Sequence, residues 1–162
     1  LENKMGQYRT TRNIESSIID QLKAVLNASF DDISVEKSFA RIYGIELPSV
    51  CIRAGATDYN KVEISTNAIK RNVLIFIDIF GTSQGQILDI KDCLIDSIKS
   101  GFIYYKYTIS GGAITAKTAD GRIFVLDIAD SPVNFDIDRD KLDGHDKFRW
   151  NITITVATSK VE

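Results

Sequence analysis

The segment RNVLIFIDIFG, residues 71–81, limits what this chain can fold into more than any other stretch. Side chains of a strand point alternately to the two faces of its sheet. Val73, Ile75, Ile77 and Ile79 therefore share one face, and Leu74, Phe76 and Phe80 share the other, with Asp78 among them. A strand that is apolar on both sides is a central strand, and both faces of its sheet need cover. Helices on one side, or a partner subunit on the other, could supply that cover. The apolar run is far too short to span a bilayer, which takes about 20 residues as a helix. Asp78 is the single polar intruder. It reads either as a functional carboxylate or, more plainly, as a hydrogen-bonded acid near the strand end.

Two segments carry helical periodicity. In RNIESSIIDQLKAVLNASF, Ile14, Ile18, Leu22, Val25 and Leu26 recur at spacings of three and four, which predicts an amphipathic helix from about residue 12 to 28. Thr11 or Asn13 is placed to cap it. In TSQGQILDIKDCLIDSIKSG the stripe is Ile87, Ile90, Leu94 and Ile98. Ser83 and Gln86 have capping-box spacing, and Gly101 offers a left-handed stop. A second helix is predicted over 84–99.

The rest of the chain reads as strands and turns. Phe39, Ile42, Tyr43 and Ile45 suggest a strand interrupted near Gly44. SVCIRAG, after Pro48, suggests another, and Gly55 with TDYNK marks a turn or loop. From Phe102 the chain is rich in aromatic and β-branched residues. It is predicted to turn at Gly111-Gly112 and again at the hairpin dipeptide Asp120-Gly121. SPVNFDID alternates Val133, Phe135 and Ile137 against Asn134, Asp136 and Asp138. FRWNITITVAT sets Phe148, Trp150, Ile152, Ile154 and Val156 inward. The order predicts one α+β domain over residues 1–162: a mainly antiparallel β-sheet, two helices packed on it, and an extra β-hairpin or loop excursion over 102–140. Residues 1–11 are expected to be a flexible N-terminal segment.

Bulk properties exclude several function classes. The 162 residues suffice for a real core, and 44% apolar with 26% charged residues is ordinary for a globular domain. The formal net charge of −2, with Lys70-Arg71 as the one basic doublet, argues against a primary nucleic-acid binder. LENKMGQYRTTR lacks the apolar core of a secretory signal. Cys51 and Cys93 have no CxxC partner, so two buried free thiols are expected, with neither a disulfide nor a zinc site.

DIDRDKLDGHDK, residues 136–147, invites three readings. As a calcium loop, Asp136, Asp138 and Asp140 match the first three ligand positions, but Lys141 stands where the glycine belongs and Lys147 where the bidentate glutamate belongs. As a catalytic cluster, His145 lacks a paired nucleophile or any known motif around it. Period-two alternation accounts for Asp136 and Asp138 as the wet face of a strand, followed by a turn at Asp143-Gly144 with His145 exposed on it. What remains is an acidic face: seven aspartates fall between 127 and 146. GTSQGQ, at 81–86, follows a strand and opens a helix, yet lacks both the GxGxxG spacing and the Walker lysine-serine pair. No catalytic, cofactor-binding or metal site is assigned.

The order of parts resembles a known family. An amphipathic helix precedes LPSVCIRAG, then RNVLIFIDIFG, the helix QILDIKDCLIDSIKSG and the alternating strand FRWNITITVAT. This is similar to the tail terminator (tail completion) proteins of siphophage-type, long-tailed bacteriophages. The resemblance covers residues 12–158 and departs from the family over 102–140. It implies a structural virion protein and no enzyme. Such a protein assembles in the host cytoplasm and sits at the head-proximal end of the virion tail. It forms a ring with itself, a hexamer, in some cases only on the tube end. It caps the tail tube protein, stops polymerisation and presents a docking surface to the head-completion or connector protein. DNA passes through such a ring without specific binding, and no membrane and no cofactor are implied. A ring built head to tail needs two different patches per subunit. The candidates are the loop 55–70, with Tyr59, Lys61, Lys70 and Arg71, and the excursion 102–121, with Tyr104, Tyr105 and Tyr107. The plainer reading of the tyrosines is that two of the three pack inside the sheet. Asp136, Asp138 and Asp140 are candidates for the lining or rim of the channel. Another head-tail joining protein is an alternative, as is a cytosolic small-ligand-binding or regulatory α+β domain. An enzyme using Asp78 or His145 is the remote one.

Overall fold

The computed structural model describes residues 9–37, 39–65, 67–134 and 138–159. Helix α1 (Thr10–Ser29) leads into strand β1 (Ser34–Glu36), the one-turn helix α2 (Phe39–Ile42), and strands β2 (Ser49–Lys61) and β3 (Ile69–Phe80). Helix α3 (Gln84–Ile98) follows, then strands β4 (Phe102–Ser110) and β5 (Ala113–Pro132). A 3-10 turn at Arg139–Lys141, the one-turn helix α4 (Gly144–Lys147) and strand β6 (Arg149–Thr158) complete the chain. The six strands form one sheet in the order β1-β2-β3-β6-β5-β4. The short edge pairing of β1 with β2 is parallel and every other pairing is antiparallel. The fold is α+β.

β3 lies between β2 and β6, where its two apolar faces demand to be. One face meets the long helices. Ile14, Ile18, Leu22 and Leu26 of α1, and Ile87, Ile90, Leu94 and Ile98 of α3, pack on Val73, Ile75, Ile77 and Ile79 of β3 and Ile152, Ile154 and Val156 of β6. Burying each such side chain contributes about 1.5–3 kcal/mol, so this layer dominates stability. The helix ends follow local rules. Ser83 Oγ accepts from Gln86 N, while the Gln86 side chain accepts from Thr82 N and Oγ1, one residue earlier than a reciprocal capping box would place it. Gly101 stops the chain after α3 at φ +73, and a Cβ there would lie 2.7 Å from the Ile123 carbonyl oxygen.

The opposite face is covered over only part of its length. α2 and the segment after it set Ile42, Phe39 and Leu47 on Cys51 and Phe80. Arg53 sits over Phe39 (5.2 Å) and Phe76 (5.1 Å), and Arg149 over Phe39 (4.5 Å) and Phe80 (5.0 Å), so two guanidinium groups alternate with three rings and pin α2 to the sheet.

Several local expectations are corrected. Phe39–Ile42 is helical, not a strand, because a spacing of three lets Phe39 and Ile42 reach the same pocket on the sheet. Gly55 does not turn the chain. Gly55 and Ala56 together oppose Leu74 in a bulge, and β2 continues to Lys61; a side chain at 55 would strike the Phe76 ring. Asp120-Gly121 does not turn it either. The pair opposes Tyr104 alone, with Gly121 at φ +131, and β5 runs through. The turn is at Gly111-Gly112, where φ values of +58 and +82 meet the need of a tight two-residue loop. α1 starts at Thr10, inside the expected flexible segment, without a side-chain cap. Thr11 and Asn13 make tertiary contacts instead: Thr11 Oγ1 accepts from Arg71, and Asn13 donates to the Tyr104 hydroxyl. Of the SPVNFDID alternation, β5 takes in Ser131 and Pro132, Phe135–Ile137 lie outside the described residues, and Asp138 lies outside any strand.

Candidate functional site

The register sets two hairpin arms at one end of the sheet. β6 stops at Thr158 beside Ile123, and Ala157 lies opposite Asn72. Past that row, β2 and β3 continue together to the Lys61–Ile69 pair, and β4 and β5 continue to the Ser110–Ala113 pair. The opposite end carries α4 and the 3-10 turn, where β6 begins.

The β2–β3 arm holds the first set of candidate interface residues. Tyr59 lies opposite Arg71 and is 56% exposed, with the guanidinium 5.3 Å from its ring centroid. Lys61 and Lys70 are exposed on opposite sides of the arm. Val62 is exposed, and so is Ile64. The β4–β5 arm treats its tyrosines differently. Tyr104 and Tyr107 are buried, Tyr104 bonded to Asn13 and Tyr107 to Asp20 Oδ2 at 2.6 Å, and Tyr105 is left half-buried under Lys117. Burial and the neighbouring carboxylate raise the Tyr107 hydroxyl's pKa, so it stays protonated as donor.

Between the arms the uncovered part of the sheet face shows an apolar patch. Phe124, opposite Ala157, is 49% exposed, and Leu126, an extra residue in a bulge, is 51% exposed. Leu74 and Phe76 lie half-buried beside them, and Asp127 lies in the Leu74–Thr155 row. Sequence reasoning missed this patch. The unbroken apolar run IFVL at 123–126 was the available signal, since a strand with a solvated face would have alternated.

Asp136 lies outside the described residues. Asp138 and Asp140 are exposed near α4, and Lys147 Nζ reaches Asp140 at 3.7 Å. His145 is not on an open turn. It is in the first turn of α4, half-buried, with Nε2 2.9 Å from the Ile45 carbonyl and Nδ1 3.2 Å from Asp143 Oδ1, its ring tilted against Tyr43. These contacts tie α4 to the segment after α2, and bonds from the His145 amide and ring keep the Asp143 carboxyl below its ordinary pKa. Asp78 is 2% exposed and accepts from Arg149 (3.3 Å) and Asn151 (3.1 Å), while Arg149 also reaches Asp146 at 3.6 Å. Asp78 and His145 thus serve separate contacts. Cys51, opposite Asp78, is fully buried; burial first, then the Asp78 charge, push its thiol pKa up to about 11. Cys93 is a second free thiol, half-buried. Among the described residues, no three His, Cys, Asp or Glu side chains come together to hold a metal, and no helix is long and apolar enough to cross a membrane. A shallow cleft of about 600 Å³ between α1 and the β1–α2 corner mixes Lys23, Lys37 and Arg41 with Asp20 and Glu36, so no single ligand charge is selected.

No protein-family model and no curated protein sequence matches the chain. Its fold is similar to that of a chain in the virion of a native gene transfer agent (GTA) particle. The TM-score is 0.50 at 8% sequence identity, over 93% of this chain and 96% of the other.

Proposed function

We propose that this chain is a structural protein of a phage-like virion, and within that class a tail terminator. It caps the end of the tail tube as a ring, halts polymerisation and offers the head connector its docking surface. The observation that carries the reading is the fold likeness to a virion chain over 93% of this chain and 96% of that one, so that neither has a large region the other lacks. The half-covered sheet supports it: both long helices pack on one face, and Phe124 and Leu126 of β5 stay about half exposed unless another molecule covers them. The resemblance in order of parts supplies the terminator role and the expected six subunits. Asp138 and Asp140 then rim the channel, where their carboxylates repel DNA phosphates and offset the charge of Lys141 and Lys147 beside them, so that the strand slides.

The test is tube capping. The purified chain is added to polymerising tail tube protein of the same particle, and tube lengths are read by electron microscopy. Shortened tubes with an extra ring at one end, and a light-scattering mass near six times that of the chain, are expected. Unaltered tube lengths at saturating protein would overturn the terminator role. A ring that binds the connector but not the tube would turn the reading toward another head-tail joining protein.

A further inference from the structure

Two partly exposed areas of this subunit, one around Tyr59 and one around Phe124, lie on opposite sides of one sheet. On the β2–β3 arm, Tyr59 and Lys61 pair with Arg71 and Ile69, in the alternation that places Val73 against the helices. Their side chains thus project on the helix side, at the first turn of α1, where Arg71 bonds Thr11 and Tyr59 stays 56% exposed. The patch of Phe124, Leu126 and Leu74 is on the other side. Carboxylates stand beside it, and Lys70 of the arm lies farther out on this same side, two residues from Asn72 in the Phe124 row. Asp127 on β5 and Asp58 on β2 flank the patch, both exposed, and Asp127 makes no ion pair among the described residues. The arm's helix side presents Lys61, which likewise makes none, beside Arg71.

We infer that the occupant of the open face is a second copy of this chain: the helix side of one subunit's β2–β3 arm lies on the Phe124–Leu126 patch of the next, with Lys61 toward Asp127. Tyr59 and Ile69 cover the apolar residues, and the paired charges set the register. Because the two patches differ and lie on opposite sides of the sheet, the contact is head to tail. It leaves an unused arm at one end and an unused patch at the other until a ring closes. This inference rests on the ring reading above and names the surfaces that build it.

The experiment is a directed disulfide. Lys61→Cys and Asp127→Cys are made in separate chains, each with Cys93→Ser, leaving Cys51 buried. Oxidation of the two chains mixed is expected to give a disulfide-linked dimer on a non-reducing gel, while either chain alone stays monomeric. The chain with both substitutions should give a ladder ending at the ring size. Linkage within either single-cysteine chain at the level of the mixture would mean a two-fold contact and overturn the proposal. Absence of linkage in the mixture would overturn it too. The light-scattering mass of the parent chain separates the two readings. A ring without the Lys61–Asp127 link sinks only this contact. A monomer at all concentrations and on tube ends sinks the ring. A ladder that never closes keeps the contact and removes the terminator role.

Discussion

At the residue scale, Arg149 is the side chain on which the covered end of the sheet depends. It bonds Asp78, which is 2% exposed, and stacks on Phe39 and Phe80. Removing one partner of a buried pair costs about 3–5 kcal/mol, because the other charge is left without compensation. Arg149→Ala is expected to lower the urea-unfolding free energy by about that amount. Adding Asp78→Asn should recover part of the loss, because the stranded charge is gone; a fully additive double variant would show that the two do not act as a pair. Cys51 gives a pH dependence of known sign. The folded thiol keeps its proton to about pH 11, against an ordinary value of 9.0. The stability this contributes is whole below about pH 9 and is lost as pH rises through 11, at most about 3 kcal/mol in all. Cys51→Ala loses packing at every pH, so its deficit against the parent should narrow between pH 8 and pH 10.5, read from urea midpoints. Asp78 was legible in the sequence as a hydrogen-bonded acid, since a lone carboxylate in an apolar strand must find donors. That the donors are Arg149 and Asn151 was not, because they come from a strand more than 70 residues away that only sheet pairing brings beside it.

At the element scale, α1 does two jobs. Its apolar stripe covers the core, and its polar residues close the free edge of β4. Gln21 accepts from the Ile103 amide and donates to its carbonyl, and Ser17 Oγ accepts from the Tyr105 amide. An edge strand with unpaired amides is a template for another chain, and a helix laid along it removes the template. Gln21→Ala with Ser17→Ala should cost about 1–3 kcal/mol in urea unfolding. It should also raise the aggregation rate in stirred solution, seen as turbidity, whereas the exposed-face change Lys23→Ala should do neither. The helical stripes were readable because a period of 3.6 survives any tertiary context. The polar edge closure was not readable, because Ser17 and Gln21 obey the same helical spacing as solvent-facing residues would. α2 was misread as a strand for a related reason: four residues are too few for either period to declare itself.

At the scale of the whole molecule, the subunit is polar from end to end. Two arms project at one end, and the charged turn with Asp138 and Asp140 sits at the other. The proposed assembly contacts therefore fall on residues other than those of the core. Phe124→Asp with Leu126→Asp is expected to lower the urea-unfolding free energy by only about 1–3 kcal/mol, since both side chains are about half exposed and each forfeits only part of its burial. The same variant should remain a monomer by light scattering at concentrations where the parent assembles. A large loss of stability would place these side chains in the subunit's own core and leave the open face without an assembly role.

The sequence by itself determined the fold class, the central strand, both long helices and the Gly111-Gly112 turn. Each is a local property: periodicity, two-sided apolarity, or a backbone angle that only glycine accepts at little cost. Tertiary structure alone decided that Gly55 and Gly121 sit in bulges rather than turns, since a glycine permits both and only the register of the partner strand distinguishes them. It also decided which apolar residues stay exposed. Phe124 and Ile123 are equally apolar neighbours in the chain, and one is buried under a helix while the other faces outward because α1 and α3 both pack on the same side of the sheet.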